Sequence, residues 1–165
     1  MGYTHYWNFG AFINKADYER ALRECRKVIR NSLTPLANWS GEGNPLLRNG
    51  FNFNGVGDDC HENFRMGKEP IRNEWFCKTA RKPYDVIVVA CLCILQDCLG
   101  EGIDVSSDGD PHEWETGKAF ACAILGRKLA IPLSVQRCSH MRTEFRKQYA
   151  AKYPEYGEYV ELGGV

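Results

Sequence analysis

The chain has no excess of charge of either sign: 21 Lys and Arg stand against 21 Asp and Glu in 165 residues. A protein that grips nucleic acid polymers without sequence preference draws on positive charge to displace counterions. That class is not expected here, and any basic surface must be local. Long apolar runs are also missing. The longest, residues 86–95, is too short to span a bilayer as a helix, which excludes a conventional transmembrane helix there. No C-x-x-C pair occurs, so neither a zinc ribbon nor a thioredoxin-type redox motif is present. There is no Walker A loop, and Gly55-Val56-Gly57 lacks the third glycine of a dinucleotide fingerprint. The first residues carry neither a basic segment nor an apolar one, so the expected location is the cytoplasm.

What is present is the composition of one globular domain, with 44% hydrophobic and 25% charged residues. The eight cysteines lie mostly in apolar periodic segments and read as reduced core thiols rather than a disulfide framework. Residues 2–8 are aromatic-rich and loosely alternating, which suits a strand. Asn14 opens an amphipathic helix: Tyr18, Ala21, Leu22, Cys25, Val28, Ile29 and Leu33 follow the spacing of one helical face, and Pro35 ends it. Residues 36–50 are turn-rich. The alternation Phe51-Asn52-Phe53-Asn54 predicts a strand over 51–56, and Trp75-Phe76-Cys77 a second over 74–79. Residues 83–99 could open as a buried strand, but length and punctuation favour a central helix, with Pro83 at its first position, Asp85 in its first turn and Gly100 past its end. A short strand over 103–106 follows. Asp110-Pro111 then starts a helix that Gly126 ends, and a last amphipathic helix is expected over 139–152. The sum is an α+β (mixed α/β) single domain over 1–165, a central sheet covered by about four helices.

Two segments share a design. Residues 77–85 and 103–111 each run from a strand into a helix start, where unpaired N–H groups favour anions. Lys78, Thr79, Arg81 and Lys82 add charge and donors in the first; Ser106, Ser107 and Asp108 do so in the second. Both segments are expected to line one pocket. The ordinary role of Ser, Thr and Asp at such places is capping. Tyr6, Trp7 and Tyr84 could stack on a ring, with His5 lying among the first aromatics, and Asn54 or His61 could read polar edges. The run Asp58-Asp59-Cys60-His61-Glu62 and Asp108 hold metal-ligand residue types, but their spacing fits no named site, so no metal or cofactor is expected.

The segments Gly2-Tyr3-Thr4-His5-Tyr6-Trp7, Phe53-Asn54-Gly55-Val56-Gly57, His61-Glu62-Asn63-Phe64, residues 76–85 and Val105-Ser106-Ser107-Asp108-Gly109 together resemble a family of small proteins encoded by tailed bacteriophages and some bacteria. The resemblance covers roughly residues 2–126 and carries over no catalytic residue. It implies a viral accessory protein in a bacterial cytoplasm, a setting that includes proteins sequestering the nucleotide signals of antiviral defence. The functional expectation is non-catalytic binding of a small phosphorylated or nucleotide-derived molecule, with a homo-oligomer as an accompanying expectation and no nucleic acid polymer or membrane as partner. The alternatives are a metal-assisted hydrolase or phosphodiesterase using Asp58, His61, Glu62 and Asp108, and an inhibitor that blocks a host protein through a surface patch.

Overall fold

The computed structural model describes residues 3–137. The helix expected over 139–152, the tyrosine-bearing tail and Cys138 lie outside the described residues. Among them the order is β1 (Thr4–Phe9), α1 (Lys15–Arg30), β2 (Gly50–Phe53), β3 (Phe64–Gly67), β4 (Glu74–Lys78), α2 (Asp85–Leu99), β5 (Ile103–Ser107) and α3 (Pro111–Leu125). Helical backbone resumes at 133. The fold is a mixed α+β domain.

Two sheets stand where one was expected. β4, β1 and β5 form an antiparallel sheet with β1 in the middle, and β2 and β3 form a separate antiparallel hairpin. The hairpin's outer side is closed by isolated bridges from the turn-rich segment, Ala37 to Asn54 and Leu46 to Asn52. Those bridges occupy the outer edge of β2. β3 was not expected from the sequence.

α1 begins where expected, with the Asn14 side chain accepting from the N–H groups of Ala16 and Asp17. It ends at Arg30, earlier than Pro35 suggests. Asn31 is the reason: its N–H reaches the carbonyls of Lys27 and Val28, and its Nδ2 donates to Lys27 O at 2.8 Å. Leu33 therefore leaves the apolar face and is 90% exposed.

α2 is the centre of the core, with residues 87–95 buried on every side. It packs against α1 on one flank and α3 on the other. Its β-branched start, Val86-Ile87-Val88-Val89, is held helical by that all-round burial, which overrides local preference. Pro83 lies in the turn before it rather than in its first position. α3 starts with the expected Asp110 cap, joined by Glu113 in a reciprocal capping box, and Gly126 ends it in the left-handed conformation. Gly117 lets α3 approach α2 closely, because a Cβ there would sit 2.6 Å from Val89 Cγ1 and 2.7 Å from Val86 O.

The cysteines at 25, 77, 91, 93 and 98 are buried thiols of this core. Burial pushes the Cys98 thiol up to about 11 and the Cys93 thiol up to about 12, from an ordinary value of 9.0. A folded-state pKa above the unfolded one contributes stability that is complete below the unfolded value and is lost as pH rises through the folded value. The melting temperature is thus expected to hold up to about pH 9 and to fall progressively towards about pH 11 to 12. Burial also raises Tyr3, Tyr18 and Tyr84, which steepens the fall. Melts across this range check it; a profile flat through pH 11 contradicts it.

Candidate functional site

From His5 onward β1 alternates. His5, Trp7 and Phe9 face the core, while Tyr6 and Asn8 face outward. Because β1 lies between β4 and β5, the ends of those two strands flank its start: Lys78 pairs with Thr4, and Ser107 with His5. The two strand-to-helix segments therefore meet at one end of the sheet.

On the inner face they meet through a buried chain of hydrogen bonds. Thr79 Oγ1 donates to Asp85 Oδ1 at 2.6 Å, and His5 Nε2 lies 2.7 Å from the same oxygen. With Nε2 carrying the proton towards the carboxylate, Nδ1 accepts from the Ser107 hydroxyl at 2.9 Å. Ser107 Oγ in turn accepts from the Gly109 N–H at 2.9 Å. The imidazole is fully buried, edge-on to Tyr3 and Trp114 at centroid separations of 5.1 and 5.2 Å. The chain ties β1, the turn after β4, the first residue of α2, the end of β5 and the loop before α3. Chemically it is a carboxylate–imidazole–hydroxyl relay, able to accept a serine proton.

The turn above it is strained. Ala80 and Arg81 are consecutive non-glycine residues with φ of 51° and 56°, at a cost of roughly 1–3 kcal/mol each. The N–H groups of Thr79 and Ala80 both reach Tyr3 O. Arg81 then lies over the Tyr3 ring, 4.2 Å from its centroid, and its Nε donates to Glu113 Oε1 at 2.8 Å. That ion pair is half exposed on the arginine side. Lys82 Nζ donates to the Asp58 carbonyl at 2.7 Å, and Asp108 Oδ2 accepts from the Thr4 N–H at 3.0 Å.

The outer face of the same sheet is different. Tyr6 stands directly across from Phe76 on one side and Ser106 on the other. Tyr6 is 42% and Phe76 59% exposed. Lys78 projects on this face one row further towards the sheet end, as the alternation of β4 requires.

No protein-family model, curated protein sequence or solved structure matches this chain. Local chemistry therefore carries the functional reading.

The expected site residues separate into five groups. His5, Thr79 and Ser107 form the buried chain. Lys78, Arg81, Lys82 and Asp108 surround the sheet end, and Tyr6 and Ser106 share its outer face. Trp7 and Tyr84 are core: Trp7 packs edge-on to Phe64, and Tyr84 donates its hydroxyl to Glu62 O at 2.7 Å. Neither stands on the outer face of the sheet beside Tyr6. Asn54 is 1% exposed and holds the loop at 54–61, with Nδ2 donating to His61 O and Oδ1 accepting from His61 N. The His61 side chain is exposed. The acidic run gathers no group of three or more metal-ligating side chains among the described residues.

The sequence alone marks Phe76 only as a strand residue and Asp85 only as a helix-start residue. The period-2 pattern of β4 puts Phe76 and Lys78 on one face. Nothing in the sequence marks Asp85 as the partner of His5.

Proposed function

We propose that the protein binds a small phosphorylated, ring-bearing molecule of nucleotide type at the open face and end of the three-stranded sheet, and holds it without turnover. The observation that carries this reading is the exposed Tyr6–Phe76 pair, with Ser106 and Lys78 beside it. Exposed aromatic rings on a sheet surface stack on bases whatever their sequence. The ligand's ring lies on Tyr6 and Phe76, the Ser106 hydroxyl meets a polar edge, and Lys78 and Arg81 take the phosphate. Arg81 is recruited from its exposed pair with Glu113. The resemblance to phage-encoded proteins gives the setting: sequestration of a nucleotide signal of bacterial antiviral defence, in the bacterial cytoplasm.

Calorimetric titration with cyclic, linear and ADP-ribose-type nucleotides tests this. Phe76→Ala is expected to weaken binding by about 1–3 kcal/mol, and Arg81→Ala by about 1.5–3 kcal/mol. Arg81→Lys restores only part, because lysine lacks the planar fork. Melting temperatures of all three variants stay close to the wild type. Equal binding by all of them, or no nucleotide binding by the wild type, defeats the proposal.

One observation favours a second reading. The Asp85–His5–Ser107 chain has the connectivity of a hydrolytic relay. Hydrolysis requires a substrate to reach Ser107, a buried residue whose Oγ already accepts from Gly109 N–H. Turnover of a nucleotide that Ser107→Ala abolishes would establish it.

A further inference from the structure

A cleft of about 320 Å³ lies between β1, the β2–β3 hairpin and the N-terminal part of α1. It is distinct from the outer sheet face and does not depend on the function proposed for that face. Its aromatic and apolar walls include Trp7, Phe9, Tyr18, Phe51, Met66 and Trp75. Two cations, Arg48 and Arg65, also line it, against a single carboxylate, Glu69. Both arginines are exposed, and among the described residues neither forms an ion pair. The walls are held in place. Trp75 Nε1 donates to Ile71 O at 2.9 Å, Arg65 Cζ lies 5.1 Å from the Trp75 ring, and Tyr18 donates its hydroxyl to Gly67 O at 2.9 Å.

We infer that this cleft is a binding site for a planar aromatic anion of one or two rings, its ring against the aromatic walls and its acid group on Arg48 and Arg65. The volume is at the small end of the range for ligand pockets, which suits a ring system with one acidic group rather than a dinucleotide. An aromatic body with unpaired guanidinium groups at the rim selects against both aliphatic acids and neutral rings. Carboxylates and phosphates share this chemistry, since both meet the guanidinium fork.

The test is titration of the full chain with 1-naphthoate and 1-naphthyl phosphate, with 1-naphthylmethanol as neutral control and hexanoate as aliphatic control. At least one aromatic anion is expected to bind, with both controls weaker by roughly tenfold or more. Arg48→Ala and Arg65→Ala are each expected to weaken that anion by roughly tenfold. Both side chains are exposed, so the variants keep the fold, and a melt verifies it. The better anion tells whether the cleft favours carboxylate or phosphate. Arg81→Ala and Phe76→Ala leave naphthoate affinity unchanged, which separates this site from the sheet face. Failure of both aromatic anions to bind overturns the inference, as does equal binding of the neutral ring or unchanged affinity in both arginine variants. None of these results bears on nucleotide binding at Tyr6 and Phe76.

Discussion

Replacing His5 with alanine is expected to destabilise the fold by about 3–5 kcal/mol, lowering the melting temperature by roughly 10 °C or more for a chain of this size. Two costs add. The ring is fully buried between Tyr3 and Trp114, and removing it leaves a cavity that packed neighbours fill only in part. It also strips the Ser107 hydroxyl and Asp85 Oδ1 of a partner in a buried setting. Such groups then carry their desolvation uncompensated. Ser107→Ala alone should cost less, about 1–3 kcal/mol, because its cavity is small. The double variant should fall short of the sum, since the two share one hydrogen-bonded chain. His61→Ala serves as control: that side chain is exposed, so its loss should stay within about 0.5 kcal/mol. Thermal and urea unfolding of the four proteins read these values. A His5→Ala protein as stable as His61→Ala would mean that the chain does not hold the sheet end together.

The second large effect is expected at Gly50, where β2 begins. Its φ is 110°, and a Cβ there would lie 2.0 Å from Met66 O and 2.8 Å from Gly67 C. Alanine therefore meets backbone, which cannot swing aside as a side chain can, in a conformation that L residues rarely adopt. Backbone strain of roughly 1–3 kcal/mol and overpacking of roughly 1–3 kcal/mol put the cost of Gly50→Ala at about 2–6 kcal/mol. Gly57 and Gly126 isolate the two contributions. Both have positive φ, of 54° and 69°, with nothing within 4 Å of the added Cβ, so alanine there carries the strain alone. Gly50→Ala should thus be the most destabilising of the three by urea unfolding. Parity among them would show that the hairpin shifts to relieve the contact. Because the hairpin forms a wall of the aromatic cleft, Gly50→Ala should also weaken naphthoate binding.

The helices were legible because each announces itself within a dozen residues. α1 shows its apolar face at helical spacing after Asn14, and α3 carries Asp110, Pro111, Glu113 and Gly126 in the positions that start and stop a helix. α2 needed its length and its punctuation to outweigh a strand-like opening. What the sequence concealed lies between segments. His5 and Ser107 are about a hundred positions apart, and only the placement of β1 between β4 and β5 brings them within 2.9 Å. Read in sequence, Ser107 resembles a cap and His5 one polar residue among aromatics. The approach of the two strand-to-helix segments followed from a shared chemistry of their residues, but their contact through a buried imidazole did not. The cleft was invisible for the same reason: Arg48, Arg65 and Trp75 come from a loop and two different strands, with no spacing to connect them. Asn31 shows the opposite failure, in which a single side chain capping Lys27 overrode an apolar pattern that continued to Leu33.

The central claim, that the protein holds a nucleotide-type ligand and returns it intact, is tested most directly by mass spectrometry of the ligand itself. The protein is incubated with the nucleotide that titrates best, separated from free ligand, and denatured, and the released small molecules are weighed. The account predicts one intact nucleotide recovered in proportion to protein, with recovery reduced in Phe76→Ala and Arg81→Ala. Recovery of cleavage products that disappear in Ser107→Ala, or of no nucleotide at all, would contradict it.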